Sequence, residues 1–247
     1  MTLRLLSRLA DPIVSLIYPR KCLSCSAPVD STADGPACGD CWSETTVFSH
    51  DSLICSKCGI SASYVIPGID PSCGECGDQH FDTARSIGSY QKALAATIIY
   101  MKETPRLPLR ARKVLLSVLD GFDLATKTIV IPVPLSKQRR LERGFNQAEI
   151  IAAAVARHTA FQMDVRSLVR RIDIPMHRAA MDKKAREASV KNAFEVVRPN
   201  LIEGKDVLLI DDVMTSGATA SQCARILKKH GAGRVIVLTL ARAELRK

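Results

Sequence analysis

The chain has 247 residues, of which 47% are hydrophobic and only 4% are aromatic. Its length suffices for one large domain or two small ones, and the shortage of aromatic residues argues against a surface that binds single strands by base stacking. No apolar run approaches the length of a membrane span. The formal net charge of +10 is uneven: residues 1–83 hold five Lys or Arg against ten Asp or Glu, whereas residues 84–247 hold 30 against 15. An anionic partner would therefore meet the C-terminal part.

The N-terminal residues 1–18 are apolar but include Arg4, Arg8 and Asp11, and Pro12 interrupts them. No cleavage site of small residues follows, so we do not interpret this segment as a secretory signal. A short helix packed on the body of the protein is the favoured interpretation, and an interfacial membrane helix is the alternative. We accordingly expect a cytoplasmic protein, with a peripheral position at the inner face of the membrane as the alternative location.

Four Cys-x-x-Cys pairs follow this segment. They hold eight of the nine cysteines: Cys22/Cys25, Cys38/Cys41, Cys55/Cys58 and Cys73/Cys76. Each pair places two thiolates on one tight turn, and two pairs complete a tetrahedral site, so we predict two zinc ions. Pairs that are consecutive in sequence are favoured over interleaved ones, although the sequence allows both. A disulfide framework would need a secreted protein, and a redox centre would need one pair rather than four.

Both zinc sites are predicted to be structural, because four thiolates leave no coordination position for water. The ions with their thiolates would deepen the acidity of this part, which makes it a poor primary grip for DNA. We expect it to dock on the basic part or on a protein partner, with Trp42 packed on the second cysteine pair. The predicted domains are an N-terminal helix with a double zinc ribbon, residues 1–83, and a second domain, residues 84–247.

The rest of the chain alternates between predicted strands and helices. An extended joint at residues 80–91 leads into the second domain. Strands are predicted at residues 128–133, 165–169, 193–197, 207–210 and 234–240, and helices at residues 92–102, 109–119, 147–159 and 220–229. The run at 128–133 is interpreted as the first strand of the sheet. The pattern indicates an α/β fold with a parallel sheet flanked by helices.

A basic segment follows the strand predicted at residues 128–133. Its cationic, amide and turn residues are Lys137, Arg139, Arg140, Arg143, Gly144, Phe145, Asn146 and Gln147. Parallel sheets place ligands outside the carboxyl ends of their strands, and a diphosphate leaving group needs cations at such a place. A solvated charged loop is the alternative for this segment alone, but the acidic residues described next favour an anion site.

The strongest signal lies at residues 205–219. A buried strand is predicted to end at two adjacent acids, Asp211 and Asp212. Small and hydroxyl residues form the next loop: Thr215, Ser216, Gly217, Ala218 and Thr219. The N–H groups of this loop and of the following helix N-terminus would bind a phosphate, and acids beside a phosphate suit ribose hydroxyls or Mg²⁺. An ordinary strand–loop–helix unit with an exposed acidic pair is the alternative.

Residues 170–191 are polar and show no apolar period. Their cations include Arg178, Lys183, Lys184, Arg186 and Lys191. Such a segment suits a mobile loop over an anionic ligand and, equally, a plain solvated loop. Cys223, in the helix after the small-residue loop, is expected to be a core residue.

The segment 207–219 resembles the PRPP-binding motif of type I phosphoribosyltransferases, and the chain as a whole resembles the competence protein F (ComF) family. The similar stretches are the cysteine pairs, Phe81-Asp82, Tyr90, Lys102, residues 131–135, residues 143–147, Arg186, residues 192–194 and residues 211–219. The chain departs from the family at Met176-His177, where a Gln is common, and at Met181, where a Leu is common.

The resemblance implies a phosphoribosyltransferase core that binds PRPP with Mg²⁺. Asp211 and Asp212 would hold the ribose hydroxyls, and residues 215–219 would enclose the 5-phosphate. Cations of the basic segment would neutralise the diphosphate: Arg139, Arg140 and Arg143. The residues assigned to catalysis of pentosyl transfer are Asp211, Asp212, Arg140 and Arg143. The resemblance also implies a role in DNA uptake, but it gives no acceptor substrate.

Two alternatives to catalysis stay open. The basic crevice could bind single-stranded DNA through its phosphates, or the protein could sense PRPP without transferring the phosphoribosyl group. In either case proteins of the transformation machinery would be its partners.

Overall fold

The structure is a computed structural model that describes residues 20–29, 35–49, 52–61, 73–74, 76–171 and 193–243. The helix predicted within residues 1–18 lies outside the described residues. So do the cations of the predicted mobile loop between residues 178 and 191. Within the described part of the chain, every helix is too short or too polar to cross a membrane.

Seven strands occur in the described residues. They are β1 (Thr83–Ser86), β2 (Thr128–Pro132), β3 (Gln162–Met163), β4 (Leu168–Arg170), β5 (Phe194–Val196), β6 (Asp206–Met214) and β7 (Val235–Arg242). Five of them form a parallel sheet in the order β1-β7-β6-β2-β3. The other two, β4 and β5, form a separate antiparallel pair. The predicted parallel sheet is confirmed, but β2 is not its first strand, because β1 precedes it at one edge.

Helices lie between the strands. They are α1 (Gly39–Ser43), α2 (Lys92–Glu103), α3 (Leu109–Leu119), α4 (Lys137–Arg143), α5 (Gln147–Thr159) and α6 (Ala218–Lys229). The bounds of α3 and α5 are those predicted. For α5 the cap explains the agreement, because the side chain of Asn146 accepts a hydrogen bond from the N–H of Ala148.

The sheet separates two apolar cores. Along β6, Leu208 and Ile210 pack in one core, while Val207 and Leu209 pack in the other. This alternation follows from the period of two in a strand. Burial on both faces is the arrangement expected of a parallel strand covered by helices.

The strand predicted at residues 165–169 is wrong in extent. Residues 165–167 form a bend, and β4 starts only at Leu168. The cause is Asp164, whose carboxylate accepts hydrogen bonds from the backbone N–H groups of Arg166 and Ser167. An aspartate that binds its own following backbone favours a turn over a continuing strand.

The end predicted for the strand at 207–210 is also wrong. Strand β6 continues through the two acids to Met214, which is in register with Arg242 of β7. The neighbouring strand supplies backbone partners for these residues, so the strand does not stop where its apolar run stops. Asp211 and Asp212 therefore lie within the second half of β6.

The cysteine-rich segments cover the edge strand β1. The carbonyl of Lys57 accepts a hydrogen bond of 2.7 Å from the N–H of Ala84, and the N–H of Phe48 donates to the carbonyl of Ile87. An uncovered edge would leave these backbone groups available to another chain. The proposed domain boundary at residue 83 stays a prediction, but β1 itself belongs to the parallel sheet.

Thr45 fastens the first cysteine-rich segment to the sheet domain. Its buried hydroxyl donates to the carbonyl of Cys41 at 2.6 Å and accepts from the N–H of Ala93 at 3.0 Å. The second contact satisfies an N–H group in the first turn of α2, which has no intrahelical acceptor. One side chain thus serves both parts of the molecule.

We predict that Thr45→Val lowers the free energy of unfolding by about 1–3 kcal/mol, because it leaves a buried donor and a buried acceptor unpaired while keeping the shape of the side chain. Denaturant unfolding measures the difference. The control is Thr46→Val, the same substitution at an exposed neighbour, whose effect should stay within about 0.5 kcal/mol. Equal losses in the two variants would contradict this role of Thr45.

Candidate functional site

The cysteines form two compact clusters. The first cysteine site consists of Cys22, Cys25, Cys38 and Cys41, and the second of Cys55, Cys58, Cys73 and Cys76. In each site all four Sγ atoms lie within 4.8 Å of one another. The structure therefore groups the pairs in the order in which they occur in the sequence.

The spacing of the sulfur atoms fits a tetrahedral zinc ion. Sγ–Sγ distances are 3.7 Å between Cys22 and Cys41 and 3.5 Å between Cys58 and Cys73. Zinc–sulfur bonds of about 2.3 Å at the tetrahedral angle would separate the sulfurs by about 3.8 Å. All eight cysteines are free thiols rather than disulfides.

The thiols of the second cysteine site cannot all ionise without a cation. Burial tends to raise the pKa of Cys55, but N–H donors of Cys58, Cys73 and Lys57 outweigh it and lower the pKa to about 6. Burial and then its neighbouring cysteines raise the pKa of Cys58 to about 11. A bound divalent cation would favour the thiolate form of every member, so this arrangement is suited to a metal.

Two arginines from the sheet domain lie beside the second cysteine site. Arg242 is buried, with 5% of its surface exposed, and it donates a hydrogen bond of 3.3 Å to the carbonyl of Cys58. Arg85 donates to the carbonyl of Ser56 at 3.0 Å. Burial lowers the pKa of Arg85, and the charges of Cys55 and Cys58 oppose this effect. These cations are placed to offset the negative charge of a metal bound by four thiolates.

The two acids of β6 interrupt the regular alternation of the strand. Before them Leu208 and Ile210 share one core, but after them Val213 packs against that same core, and Met214 packs in the other. The core-facing side thus shifts by one residue across the acidic pair. Each acid also accepts a hydrogen bond from the next backbone N–H: Asp212 N to Asp211 Oδ1 at 2.9 Å and Val213 N to Asp212 Oδ1 at 2.8 Å.

The acidic pair holds more negative charge than its surroundings favour. Burial and the charge of Asp212 raise the pKa of Asp211 well above its usual range. The charge of Arg170 in β4 opposes this shift. A buried carboxyl of raised pKa beside a second carboxyl binds a proton, a metal ion or a hydroxyl donor more readily than a solvated carboxylate does.

The loop at residues 215–217 turns β6 into α6. Gly217 has a φ of 79°, a left-handed conformation that residues with a side chain rarely adopt, and a Cβ there would lie 2.8 Å from Cε of Met214. Ala218 and Thr219, which we assigned to the loop, form the first turn of α6. Their N–H groups belong to the helix N-terminus, which is suited to a phosphate.

The basic segment forms the short helix α4 rather than an extended loop. The side chain of Ser136 accepts from the N–H of Arg139, and Gly144 in the left-handed conformation ends the helix. Burial and the charge of Arg139 lower the pKa of Arg143, while Asp212 opposes this effect. The structure therefore brings Arg139, Arg143 and Asp212 into one electrostatic neighbourhood.

Arg140 has a different partner. Both terminal nitrogens of its guanidinium donate to the carboxylate of Glu149 in α5, at 2.5 and 3.3 Å. The structure does not group Arg140 with the acidic pair. Lys137, at the start of α4, is exposed.

The amide residues of the basic segment are structural in part. Asn146 donates a hydrogen bond of 3.0 Å to the carbonyl of Val133, so it fastens the start of α5 to the end of β2. Gln147 is 98% buried, and its Nε2 has no hydrogen-bond partner within the described ranges. A buried donor without a partner is costly, and it fits a site that binds an acceptor.

Sequence reasoning missed Gln79 and Arg242 as residues near these sites, and it identified Tyr90 only through the resemblance. Gln79 lies beside the 215–217 loop. Burial and the charge of Asp212 raise the pKa of Tyr90, whose N–H donates to the carbonyl of Arg242. No local pattern identifies such residues, because each meets the site across more than a hundred residues of chain.

Two family models match the chain: a double zinc ribbon domain at residues 13–78 and a phosphoribosyl transferase domain at residues 142–246. Competence protein F of Haemophilus influenzae is 28% identical over 232 residues, which cover 90% of this chain and 97% of that protein. DNA utilization protein YhgH of Escherichia coli is 28% identical and covers 92% and 99%, respectively. Competence protein ComFC of Bacillus subtilis is 34% identical over 116 residues, 47% of this chain and 45% of that protein.

Solved structures give weaker likenesses. An adenine phosphoribosyltransferase from Thermoanaerobacter pseudethanolicus is 13% identical with a TM-score of 0.34, covering 55% of this chain and 76% of that one. A glutamine PRPP amidotransferase from B. subtilis is 20% identical with a TM-score of 0.35, covering 52% and 26%. The fold assignment rests instead on the strand order and on the domain matches. The chain is thus similar over nearly its full length to competence protein F and to YhgH, and a double zinc ribbon domain precedes a phosphoribosyl transferase domain in it.

Proposed function

We propose that the protein binds PRPP, as its Mg²⁺ complex, at the carboxyl end of β6. The observation that carries this proposal is the order of parts there: two adjacent acids, a glycine turn and the N-terminus of α6, with Arg143 of α4 in the field of Asp212. Acids suit ribose hydroxyls and a hard cation, and the helix N-terminus suits the 5-phosphate. Arginines opposite them suit the diphosphate.

The roles of the side chains follow from this placement. Asp211 and Asp212 would accept hydrogen bonds from the ribose 2- and 3-hydroxyls or hold Mg²⁺, which would screen the charge of the diphosphate when bound. Arg139 and Arg143 would stabilise the diphosphate, and Arg140 would join them only after leaving Glu149. Residues 215–219 would hold the 5-phosphate.

We further propose that the site supports phosphoribosyl transfer, a pentosyl transfer to an acceptor that the sequence does not identify. The bond from ribose C1 to the diphosphate oxygen would break, the diphosphate would leave with both electrons, and the acceptor would bond to C1. Positioning and charge stabilisation suffice for such a step, so no covalent nucleophile is required. A sensor that binds PRPP without transfer is the alternative, and release of diphosphate from PRPP separates the two.

The acidic pair provides the direct test of PRPP binding. Asp211→Asn together with Asp212→Asn keeps the size of both side chains but removes their charge, so affinity for PRPP with Mg²⁺ should fall at least tenfold, about 1.4 kcal/mol. Calorimetry at pH 8 is appropriate, because the raised pKa of Asp211 weakens the parent at lower pH.

The matched control for this test is Asp206→Asn, the same substitution at the opposite end of β6, where Asp206 binds Arg234. It should leave PRPP affinity unchanged. If the double variant retains the parent affinity, PRPP binds elsewhere.

We propose zinc as the metal of both cysteine sites, so the purified protein should contain two zinc ions per chain by elemental analysis. Cys22→Ser should lower the content toward one and destabilise the first site, because a structural metal contributes its binding free energy to folding. The ninth cysteine, Cys223, is buried in the core and provides the control, since Cys223→Ser should leave two ions bound. A parent protein with fewer than two ions at saturation would exclude this assignment.

The names of the relatives suggest the wider role. We propose that the protein takes part in the use of DNA taken up by the cell, on the cytoplasmic side, since zinc thiolate sites persist in a reducing compartment. Single-stranded DNA is the candidate polymer ligand, because residues 84–247 carry twice as many cations as acids. A peripheral membrane position and contacts with the uptake machinery belong to the same proposal.

Binding to single-stranded DNA should weaken steeply as salt rises, because neutralised phosphates release counterions. Arg139→Ala with Arg143→Ala should reduce affinity about equally for all sequences and flatten the salt slope by about two, one for each lost phosphate contact. PRPP should compete with the DNA. The control is Lys127→Ala, which removes an exposed cation that precedes β2 at the amino end of the sheet. Binding that does not depend on salt would argue against recognition of DNA through its phosphates.

A further inference from the structure

The second cysteine site reaches the 215–217 loop through one side chain. Gln79 follows Cys76 closely, and its backbone N–H donates to the carbonyl of Cys76 at 3.1 Å. Its side-chain Nε2 points to the carbonyl of Ser216 at 3.5 Å, a long hydrogen bond between residues 137 positions apart. The metal site and the loop are thus joined by a single glutamine.

The other end of the same amide also faces the loop. A Cβ on Gly217 would lie 3.2 Å from Oε1 of Gln79, so this oxygen is a close neighbour of Gly217. Oε1 is buried, and it lacks a hydrogen-bond partner among the residues that the structure describes. The contact therefore covers both Ser216 and Gly217.

The chain that follows Gln79 is fastened to α6, the helix that begins at this loop. The N–H of His80 donates to the hydroxyl of Ser221 at 3.0 Å. Asp82 forms an ion pair of 2.7 Å with Lys228 and accepts a hydrogen bond from the N–H of Val235. These contacts place the segment that follows Gln79 against α6 and β7.

We propose that Gln79 is a positioning residue for the 215–217 loop, and that it couples the second cysteine site to phosphate binding. The proposal rests on the PRPP-binding function stated above and names its regulation. By holding the carbonyl of Ser216, Gln79 keeps a partial negative charge turned away from an incoming phosphate. The N–H of Ala218 donates to the hydroxyl of Ser216 at 3.4 Å, so the N–H groups of Thr219 and Ala220 in the first turn of α6 are left to face the anion.

In this proposal, metal binding at the second cysteine site and phosphate binding at the 215–217 loop favour each other. Filling the second cysteine site fixes the segment that carries Gln79, so it should raise the affinity of the loop for a 5-phosphate. By reciprocity, a bound 5-phosphate should tighten metal binding at that site. The first cysteine site contacts the sheet domain through Thr45 and Gln91, away from the loop, and should lack this coupling.

The test compares Gln79→Met with Gln91→Met. Methionine keeps the length and packing of glutamine but removes the amide, and Gln91 makes the equivalent contact between the first ribbon and α2, to Thr46 at 2.7 Å. Calorimetry would measure the affinity of the parent protein and of both variants for ribose 5-phosphate, for PRPP with Mg²⁺, and for inorganic diphosphate with Mg²⁺. Gln79→Met should lower the affinity for ribose 5-phosphate and for PRPP about threefold to tenfold, the contribution of one hydrogen bond, and leave the affinity for diphosphate unchanged. Gln91→Met should have the affinity of the parent protein for all three ligands.

The outcomes separate this proposal from the function on which it rests. A parent protein that binds neither ribose 5-phosphate nor PRPP refutes the proposed function itself. If the parent protein binds both ligands, two results refute the positioning role alone. In the first, Gln79→Met has the same affinities as the parent; in the second, it loses as much affinity for diphosphate as for the other two ligands. Gln79→Glu removes the donor and adds a negative charge, so it should lower the affinity for ribose 5-phosphate by at least as much as Gln79→Met does.

A second arm tests the coupling with zinc content as an additional readout. Cys76→Ser should lose the metal of the second cysteine site. It should also lower the affinity for ribose 5-phosphate by at least as much as Gln79→Met does. Cys22→Ser should lose the other metal without changing ribose 5-phosphate affinity. An equal loss of affinity in both cysteine variants would overturn the site-specific coupling, and the Gln79→Met result decides the positioning role whatever the stability of the cysteine variants.

Discussion

The structure depends on how one short edge strand is covered. Strand β1 has only four residues and pairs with β7 on one side. On its other side and just beyond its end, the cysteine-rich segments supply backbone partners, from Lys57 to Ala84 and from Phe48 to Ile87. The backbone of these segments therefore protects the edge of the sheet from pairing with another chain.

Arg242 extends this dependence to the candidate site. It ends β7 in register with Met214, its carbonyl accepts from Tyr90, and its guanidinium reaches the carbonyl of Cys58. A buried cation needs compensation, and Arg242 lies close enough to the second cysteine site for its charge to oppose the burial that raises the pKa of Cys58. The carboxyl end of the sheet and the second cysteine site thus share one charge balance. Specific contacts of this kind join the cysteine-rich segments to the sheet.

Local signals in the sequence predicted what local physics decides. The bounds of α5 follow from its Asn146 cap, and the cysteine sites follow from short spacings that bring two thiolates onto one turn. The end of β6 could not be predicted, because it depends on how far β7 continues beside it. Nor could the pairing of Arg140 with Glu149 or the contact of Gln79 with Ser216, since both depend on tertiary packing. The residue types of the candidate site were readable, but their partners were not.

The charges around the acidic pair indicate what kind of ligand suits it. Two neighbouring carboxyls within one strand repel each other, and burial together with the charge of Asp212 raises the pKa of Asp211. A phosphate group bound without a cation would be repelled by the two acids. A cation bound without anionic oxygens would be repelled by Arg139 and Arg143. A sugar diphosphate bound with a divalent cation meets both conditions, because it brings hydroxyl donors and a cation to the acids and anionic oxygens to the arginines. The shift of the strand's pleat at the acids belongs to the same requirement, since a regular strand would direct two adjacent side chains to opposite faces.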